Sequence, residues 1–194
     1  MRIGKDENNT KVVSRAEYKI ENAVKAFGFD FRGKTALDIG SSTGGFTEFA
    51  LKNGAAKVIA VEKGTEQMKA PLRFDERVEL YEKTDIFDFE TDEKIDVILA
   101  DVSFLSLTKV LAYAKLRLAC SNTDFLVMLK PQFEAKENEL NKGVVKNEKV
   151  RREIIKRFEK WLKENGFLVK GKRDNEIRGR NGNLERFYYL CLAK

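Results

Sequence analysis

The sequence predicts an α/β protein with a Rossmann-like, mostly parallel sheet of seven strands that ends in an antiparallel C-terminal hairpin. Apolar segments of strand length alternate with helical patterns along the chain, which favours parallel strands joined by helices. The central strand candidates are nearly continuous apolar runs, as expected for strands buried on both faces. The last two candidates have only a polar loop between them, so we expect them to pair antiparallel.

Each element is indicated by its own local pattern. The first helix should begin at a capping box, Ser14 to Glu17, and end near Gly28. The strands are predicted at residues 35–39, 57–61, 78–81, 95–100, 124–129, 167–169 and 187–192. The other helices are predicted at residues 44–52, 107–119 and 150–165.

Length and composition indicate one globular domain. The chain has 194 residues, of which 42% are hydrophobic and 35% charged. No apolar run approaches the roughly 20 residues that span a bilayer, and the polar N-terminus contains no apolar core of a secretion signal. We therefore expect a cytoplasmic protein without a membrane partner, with a flexible segment at residues 1–12 and one domain at residues 13–194.

The content of metal-binding and nucleophilic residues excludes several chemistries. The chain has two cysteines and no histidine, so a structural zinc site and histidine-based catalysis are both excluded, and no metal is expected. Cys120 and Cys191 lie in apolar surroundings, where small core residues are expected.

The charge is distributed unevenly along the chain. The net charge is +6, and residues 126–194 carry 18 lysines and arginines against 10 acidic residues. Residues 1–125 carry 19 against 21. A basic C-terminal part joined to a mildly acidic body predicts an anionic partner on one face, although solvated helix surfaces can carry the same excess.

A glycine-rich loop follows the first predicted strand and opens the next helix. Its candidate ligand-binding residues are Gly40, Ser42, Gly44, Gly45 and Phe46. Glycines at the carboxyl end of a first parallel strand let the backbone approach a ligand closely. The G-x-G-x-x-G fingerprint of dinucleotide-binding proteins is not matched, so a diphosphate ligand is disfavoured.

Acidic residues stand near the tips of three successive strands. Glu62 follows the second strand, where an acid can accept both hydroxyls of a ribose, and Asp85 follows the third. Singly, such acids are common helix caps and turn residues. Together with Asp38 at the first strand they suit an adenosine that carries a positive sulfonium, which points to S-adenosylmethionine as the cofactor. A doubly wound sheet with a terminal hairpin is typical of methyltransferases that use it.

Four further residues form a coherent catalytic set, which we call the tetrad: Lys19, Asp101, Lys130 and Glu185. Asp101, also a cofactor-binding candidate, and Lys130 end neighbouring strands. A ribose hydroxyl needs alignment and help in losing its proton, and a lysine can take that proton when burial and a nearby cation favour its neutral form. Taken singly, Lys19 and Glu185 could instead be solvated surface residues, and Asp101 and Lys130 a structural ion pair. Four aromatic residues nearby in sequence are interpreted as core or rim residues: Phe104, Phe133, Tyr188 and Tyr189.

Several motifs resemble the TlyA, or hemolysin A-type, branch of the FtsJ-like 2′-O-methyltransferases. They are VSRAEYKIENA, ALDIGSSTGGFTE, ADVSFLSL, LKPQFEA, NKGVV and GNLERFYYL, in matching order from about residue 13 to the C-terminus. The resemblance implies that the tetrad is catalytic and that Gly44, Gly45, Phe46, Glu62 and Asp85 bind S-adenosylmethionine. It also implies RNA, in particular ribosomal RNA or a ribosomal subunit, as the substrate.

The sequence departs from that branch in two places. Its members usually begin with an S4-type RNA-binding domain, which we expect to be missing before residue 13. Ala16-Glu17-Tyr18 replaces a typical Gly-Gly-Leu.

Other functions fit parts of the pattern. A non-catalytic RNA-binding protein could keep the fold and the cofactor site without transferring a methyl group. A small-molecule methyltransferase is disfavoured by the basic C-terminal third and by the tetrad, and a nicotinamide oxidoreductase by the unmatched phosphate fingerprint.

Overall fold

The computed structural model describes residues 15–179 and 181–193. The predicted capping residue Ser14 and the predicted flexible segment 1–12 lie outside these ranges. The helices are α1 (Arg15–Phe27), α2 (Gly45–Lys52), α3 (Leu107–Arg117), α4 (Pro131–Glu134) and α5 (Glu148–Glu164). The strands are β1 (Thr35–Ile39), β2 (Lys57–Val61), β3 (Val78–Tyr81), β4 (Ile95–Ala100), β5 (Ala119–Leu129), β6 (Phe167–Asp174) and β7 (Arg186–Leu192).

The strands form one seven-stranded sheet in the order β3-β2-β1-β4-β5-β7-β6. Strands β1 to β5 are parallel, whereas β7 pairs antiparallel with both β5 and β6. The predicted fold class is therefore confirmed, including the hairpin. The carboxyl ends of β1 to β5 meet at one edge of the sheet, which we call the carboxyl edge. Strand β7 begins there, because Arg186 lies opposite Leu129.

The core lies on both faces of the sheet. Side chains alternate across a strand, so in β1 Ala36 packs into the layer under α1 and α2, while Leu37 packs into the layer under α3 and α5. Both side chains are fully buried. This two-sided burial explains why the central strands are continuous apolar runs.

Helix α5 is positioned by its apolar stripe and its cap. Ile154, Phe158 and Leu162 recur at four-residue spacing and are buried. The Asn147 side chain accepts hydrogen bonds from the backbone N–H groups of Lys149 and Val150, so the helix begins two residues earlier than predicted. It runs antiparallel to the strands, which places its N-terminus at the carboxyl edge.

Three predictions are corrected. Strand β5 begins at Ala119 and not at the predicted residue 124, and α3 ends at Arg117 and not at residue 119. Strand β6 continues to Asp174 beyond the predicted segment 167–169, because backbone pairing with β7 holds its charged residues in a strand. Cys120 is exposed and Cys191 half-buried, so their interpretation as core residues is wrong. Cys120 lies on the first part of β5, which continues the chain directly from α3 as an exposed stretch before the buried strand begins at Thr123. None of the described helices is long and apolar enough to cross a membrane.

Candidate active site

The tetrad residues come from four separate parts of the chain and meet at the carboxyl edge. Lys19 lies on α1, Asp101 directly follows β4, Lys130 directly follows β5, and Glu185 directly precedes β7. Parallel strands place their carboxyl ends side by side, and the antiparallel β7 begins at that same edge. The topology thus gathers residues that are up to 166 positions apart in sequence.

One half of the tetrad is an ion pair between neighbouring strand ends. Lys130 Nζ lies 2.6 Å from Asp101 Oδ1, and the lysine side chain is 11% exposed. The same ammonium donates to the Ser103 hydroxyl at 2.9 Å. Burial raises the pKa of Asp101, and the positive charge of Lys130 opposes that rise.

The other half is a shorter and more buried pair. Lys19 Nζ lies 2.5 Å from Glu185 Oε2, with the side chains 11% and 5% exposed. Neither is therefore a solvated surface residue. Lys19 lowers and Glu185 raises the pKa of Asp101 through their charges, so the two pairs act on one another electrostatically.

The Glu185 carboxylate is enclosed by a loop that sequence patterns did not single out. The buried Asn175 places its side-chain Nδ2 3.5 Å from Glu185 Oε2, and its backbone N–H donates to the Glu185 carbonyl at 2.9 Å. A Cβ added to Gly179 would lie 2.5 Å from Glu185 Oε1. Asn175 and Gly179 stand in a polar loop without periodicity, which explains why the sequence gives no signal for them.

A cleft of about 570 Å³ opens beside Asp101. Five of the predicted cofactor-binding residues line it: Gly40, Ser42, Glu62, Asp85 and Asp101. Its apolar lining comes from the ends of β1 and β2 and from the segments that follow β3 and β4. The position of the cleft over the first strand ends is the ligand position expected for an open α/β sheet.

Glu62 is held in the cleft by the glycine-rich loop and the turn after β2. Its Oε2 accepts the Ser42 N–H at 2.9 Å, and its Oε1 accepts the Gly64 N–H at 2.7 Å. Its Oε1 also accepts the Gln67 side-chain amide at 3.2 Å. A carboxylate has about four lone-pair positions, so Glu62 keeps room to accept one further hydrogen bond, from a ligand hydroxyl.

Asp85 caps a helical turn and also lines the cleft. It caps a short helical turn by accepting the Phe87 N–H at 3.2 Å, and it pairs with Lys63 at 2.8 Å. The lysine pair lowers the pKa of Asp85. The cap alternative considered for strand-end acids therefore applies to Asp85, although its side chain also lines the cleft.

The other three predicted cofactor-binding residues do not line the cleft, but they shape the glycine-rich loop and the start of α2. Gly44 has φ +91°, and a Cβ there would lie 2.4 Å from the Leu72 side chain. Gly45 is buried at the start of α2. Phe46 is 3% exposed, with its ring centroid 5.8 Å from that of Phe187. Their contacts set the path of the loop, and any contact with a ligand would be through the backbone.

A buried acid lies on β1, next in sequence to Ile39, which lines the cleft. Asp38 is 1% exposed, and its Oδ2 accepts the Thr47 hydroxyl at 2.6 Å. Burial raises the pKa of Asp38 to about 7, and the charges of Asp101 and Glu62 add to the rise. Among the described residues, Asp38 Oδ1 and the buried Ser41 hydroxyl have no hydrogen-bond partner.

The chemistry of these groups tests which ligand fits. The charges of Glu62 and Asp101 disfavour ionisation of the buried Asp38, and a positive ligand would offset that repulsion. The remaining acceptor capacity of Glu62 suits a ribose hydroxyl. A sulfonium-bearing adenosine therefore fits the cleft, whereas a diphosphate would add further negative charge.

An exposed aromatic pair forms the rim. Phe104 is 89% exposed, lines the cleft, and has its ring centroid 5.2 Å from that of the half-buried Phe133. Tyr188 is fully buried, and Tyr189 is half-buried. These four residues divide between rim and core, in agreement with their interpretation.

Comparison with known proteins agrees with this geometry. The family model for FtsJ-like methyltransferases matches residues 12–194. The 23S rRNA (cytidine-2′-O)-methyltransferase TlyA of Campylobacter jejuni is 40% identical over 179 residues, which cover 91% of this chain and 70% of that protein.

Two solved structures share the fold closely. A protein from Lactococcus lactis described as a hemolysin is 37% identical, with a TM-score of 0.87 over 92% of this chain and 88% of that chain. A second, from Streptococcus thermophilus and described in the same way, is 31% identical, with a TM-score of 0.90 over 97% of this chain and 70% of that chain.

Proposed function

The chain belongs to the FtsJ-like methyltransferase family, and from that premise we propose that it methylates a ribose 2′-hydroxyl of ribosomal RNA, with S-adenosylmethionine as the methyl donor. The observation that carries this proposal is the pair of lysine–carboxylate contacts, Lys130–Asp101 at 2.6 Å and Lys19–Glu185 at 2.5 Å, beside an acidic cleft. The named activity of the 40% identical Campylobacter relative supports the choice of substrate.

The residues that line the cleft define how the cofactor would be held. Glu62 would accept a hydrogen bond from one of its ribose hydroxyls, and Asp85 would face its adenine. The carboxylates of Asp101 and Asp38 would stabilise its positive charge. When bound, S-adenosylmethionine would supply an electrophilic methyl group.

The tetrad supplies what a ribose hydroxyl lacks as a nucleophile. Lys130, as the neutral amine, would take the hydroxyl proton while Asp101 and Ser103 hold its Nζ in place. Lys19, oriented by Glu185, would stabilise the developing negative charge on the ribose oxygen. Alignment of the hydroxyl with the methyl group would account for much of the rate enhancement.

The proposal is tested by methyl transfer with purified protein. Ribosomal RNA and intact subunits from a strain that lacks the protein are incubated with isotopically labelled S-adenosylmethionine, and 2′-O-methylation is mapped by resistance of the modified linkage to alkali. We expect labelling at discrete ribose positions with the wild-type protein and labelling slower by about 10²–10⁴-fold with Lys130→Ala. The Lys163→Ala variant, which changes an exposed lysine near the end of α5, serves as the control.

A second measurement separates the competing functions. S-adenosylmethionine and its demethylated product should raise the melting temperature, whereas NAD should not. Cofactor binding without methyl transfer to any ribosomal RNA would instead indicate a non-catalytic RNA-binding protein.

A further inference from the structure

Four exposed cations between residues 142 and 152 differ from most of the basic residues around them. Lys142, Lys146, Lys149 and Arg152 are exposed, and among the described residues none of the four forms an ion pair. Most neighbouring cations of α5 are neutralised. Arg151 pairs with Asp174, Lys156 with Glu153, and Arg157 with Glu139. We call the four unpaired cations the basic segment.

Hydrogen bonds fix the basic segment against the residues that precede Glu185. The buried Asn183 side chain accepts the Val145 N–H at 3.0 Å and donates to the Gly143 carbonyl at 3.2 Å. Arg151 Nε donates to the Leu184 carbonyl at 3.1 Å. These contacts place the basic segment at the carboxyl edge, directly beside the tetrad.

Lys142 is presented by a tight turn. Asn141 and Val144 exchange backbone hydrogen bonds at 2.9 and 3.1 Å, and the two residues between them have φ of +49° for Lys142 and +77° for Gly143. Such left-handed pairs form the two-residue turns of hairpins. The turn projects outward, because a Cβ added at Gly143 would meet no atom within 4 Å.

We propose that the basic segment binds the phosphate backbone of the RNA strand that flanks the target ribose. This inference rests on the proposed function, which brings an RNA strand to the tetrad. Four uncompensated positive charges on the same edge would contact phosphates through charge-assisted hydrogen bonds. The motif NKGVV, for which the tetrad and the cleft give no role, then has one: it forms the turn that carries Lys142.

The composition of the surface favours RNA over an anionic membrane. A membrane-binding surface pairs its cations with exposed apolar side chains that enter the lipid. Among the described residues, the large exposed apolar side chains all lie outside residues 142–152. The basic segment is therefore suited to a polar, highly charged partner.

The test compares two variants with the same change in net charge. In the first, the four cations of the basic segment are replaced by glutamine. In the second, glutamine replaces four lysines at the opposite end of the molecule, near strand starts or the end of α5: Lys34, Lys94, Lys160 and Lys163. Dissociation constants for a ribosomal RNA fragment that contains the methylated position are measured from low to physiological salt, and the shift of melting temperature by S-adenosylmethionine checks folding.

We expect the basic-segment variant to bind RNA on the order of tenfold or more weakly. The slope of the logarithm of the binding constant against the logarithm of the salt concentration should also be shallower by about 3, because each lost phosphate contact reduces that slope by about 0.7–0.9. The control variant should change the dissociation constant by less than about threefold. Equal weakening in both variants would show a general charge effect and overturn the inference. Loss of binding to anionic phospholipid vesicles, with RNA binding retained, would overturn it in favour of a membrane.

Methyl transfer by the wild-type protein is measured in parallel to separate the two proposals. Its absence on all ribosomal RNA would contradict the proposed function. Normal methyl transfer, combined with unchanged RNA binding by the basic-segment variant, would contradict the basic segment alone.

Discussion

Lys130 Nζ lies 2.6 Å from Asp101 Oδ1, and it also donates to the Ser103 hydroxyl at 2.9 Å. Both partners stand on the segment that follows β4, so one segment positions the Lys130 ammonium. Through its contact with Asp101, which lines the cleft, Lys130 Nζ lies next to that cleft. A purely structural pair would need only a positive charge at this position. A general base needs a group that can give up and regain a proton, and this difference can be measured.

We expect Lys130→Arg to lose turnover by about 10²–10⁴-fold, close to the loss in Lys130→Ala, because a guanidinium stays protonated and cannot accept the hydroxyl proton. Single-turnover methyl transfer on ribosomal RNA measures this step. The affinity for S-adenosylmethionine should change little in either variant. Near-normal rates in Lys130→Arg would show that Lys130 is a structural cation and not the base.

A second prediction concerns the packing of Gly179 on Glu185. In Gly179→Ala the new methyl group would lie 2.5 Å from Glu185 Oε1, so the carboxylate must move and its contact with Lys19 should weaken. We expect at least a tenfold drop in single-turnover rate, with cofactor affinity retained.

Shortening the acid provides the control for that prediction. In the double variant Gly179→Ala with Glu185→Asp, the side chain is one methylene shorter and leaves room for the methyl group. The loss in the double variant should therefore be smaller than the product of the two single losses. Strictly multiplicative losses would argue that Gly179 does not act through Glu185.

The sequence predicted the sheet well because its signals are local. Mainly apolar runs such as 57–61 and 95–100 coincide with β2 and β4, because a strand buried on both faces needs apolar side chains at most positions. Strand β6 was predicted too short, because four of its five residues from Lys170 to Asp174 are charged and are held by pairing with β7 at the sheet edge. Such pairing is a tertiary effect that a local pattern does not contain.

The candidate site likewise contains residues that the sequence identifies and residues that it does not. Lys19, Asp101, Lys130 and Glu185 were identified through motifs, and the structure brings them together. Asn175 and Gly179 were missed because their role depends on contact with a residue across a loop. Asp38 offered a usable signal, a charged residue inside an apolar strand, but its separate importance emerges only from its burial and its carboxylate neighbours.

A third prediction follows from the charge of the cofactor. Burial, together with Asp101 and Glu62, raises the pKa of Asp38 to about 7, so its carboxyl group titrates near neutrality. The sulfonium of S-adenosylmethionine favours the ionised form of Asp38, so the affinity for S-adenosylmethionine should rise with pH. A rise of up to about tenfold between pH 6 and pH 8 corresponds to a bound ligand that lowers the pKa of Asp38 by about one unit. S-adenosylhomocysteine lacks that charge and should show a smaller rise.

Calorimetric titration of both ligands across this pH range measures the difference. Asp38→Asn, which cannot ionise, should make the two pH profiles parallel. Identical profiles for both ligands in the wild-type protein would mean that Asp38 does not sense the sulfonium.

The last prediction concerns stability, and it needs no cofactor. An unfolded aspartate has its ordinary pKa of 3.8, whereas burial raises the pKa of the folded Asp38 to about 7. Between these values the folded protein keeps a proton that the unfolded chain releases, so the free energy of unfolding should fall as pH rises from about 4 to 7 and level off above. At about 1.4 kcal/mol per unit, the loss from this one group is at most about 4 kcal/mol.

Asp38→Asn isolates that contribution, because its side-chain oxygen can still accept the Thr47 hydroxyl while no proton is exchanged. The stability of Asp38→Asn minus that of the wild type, from urea unfolding at each pH, should therefore increase from pH 5 to pH 8, since the titrations of groups that do not interact with Asp38 cancel in the difference. Asp30→Asn is the matched control. Arg32 lowers the pKa of that exposed carboxyl to about 2, so its difference should stay flat over the same range. A flat difference for Asp38→Asn as well would mean that Asp38 is ionised in the folded protein throughout, with a cation or water compensating its buried charge.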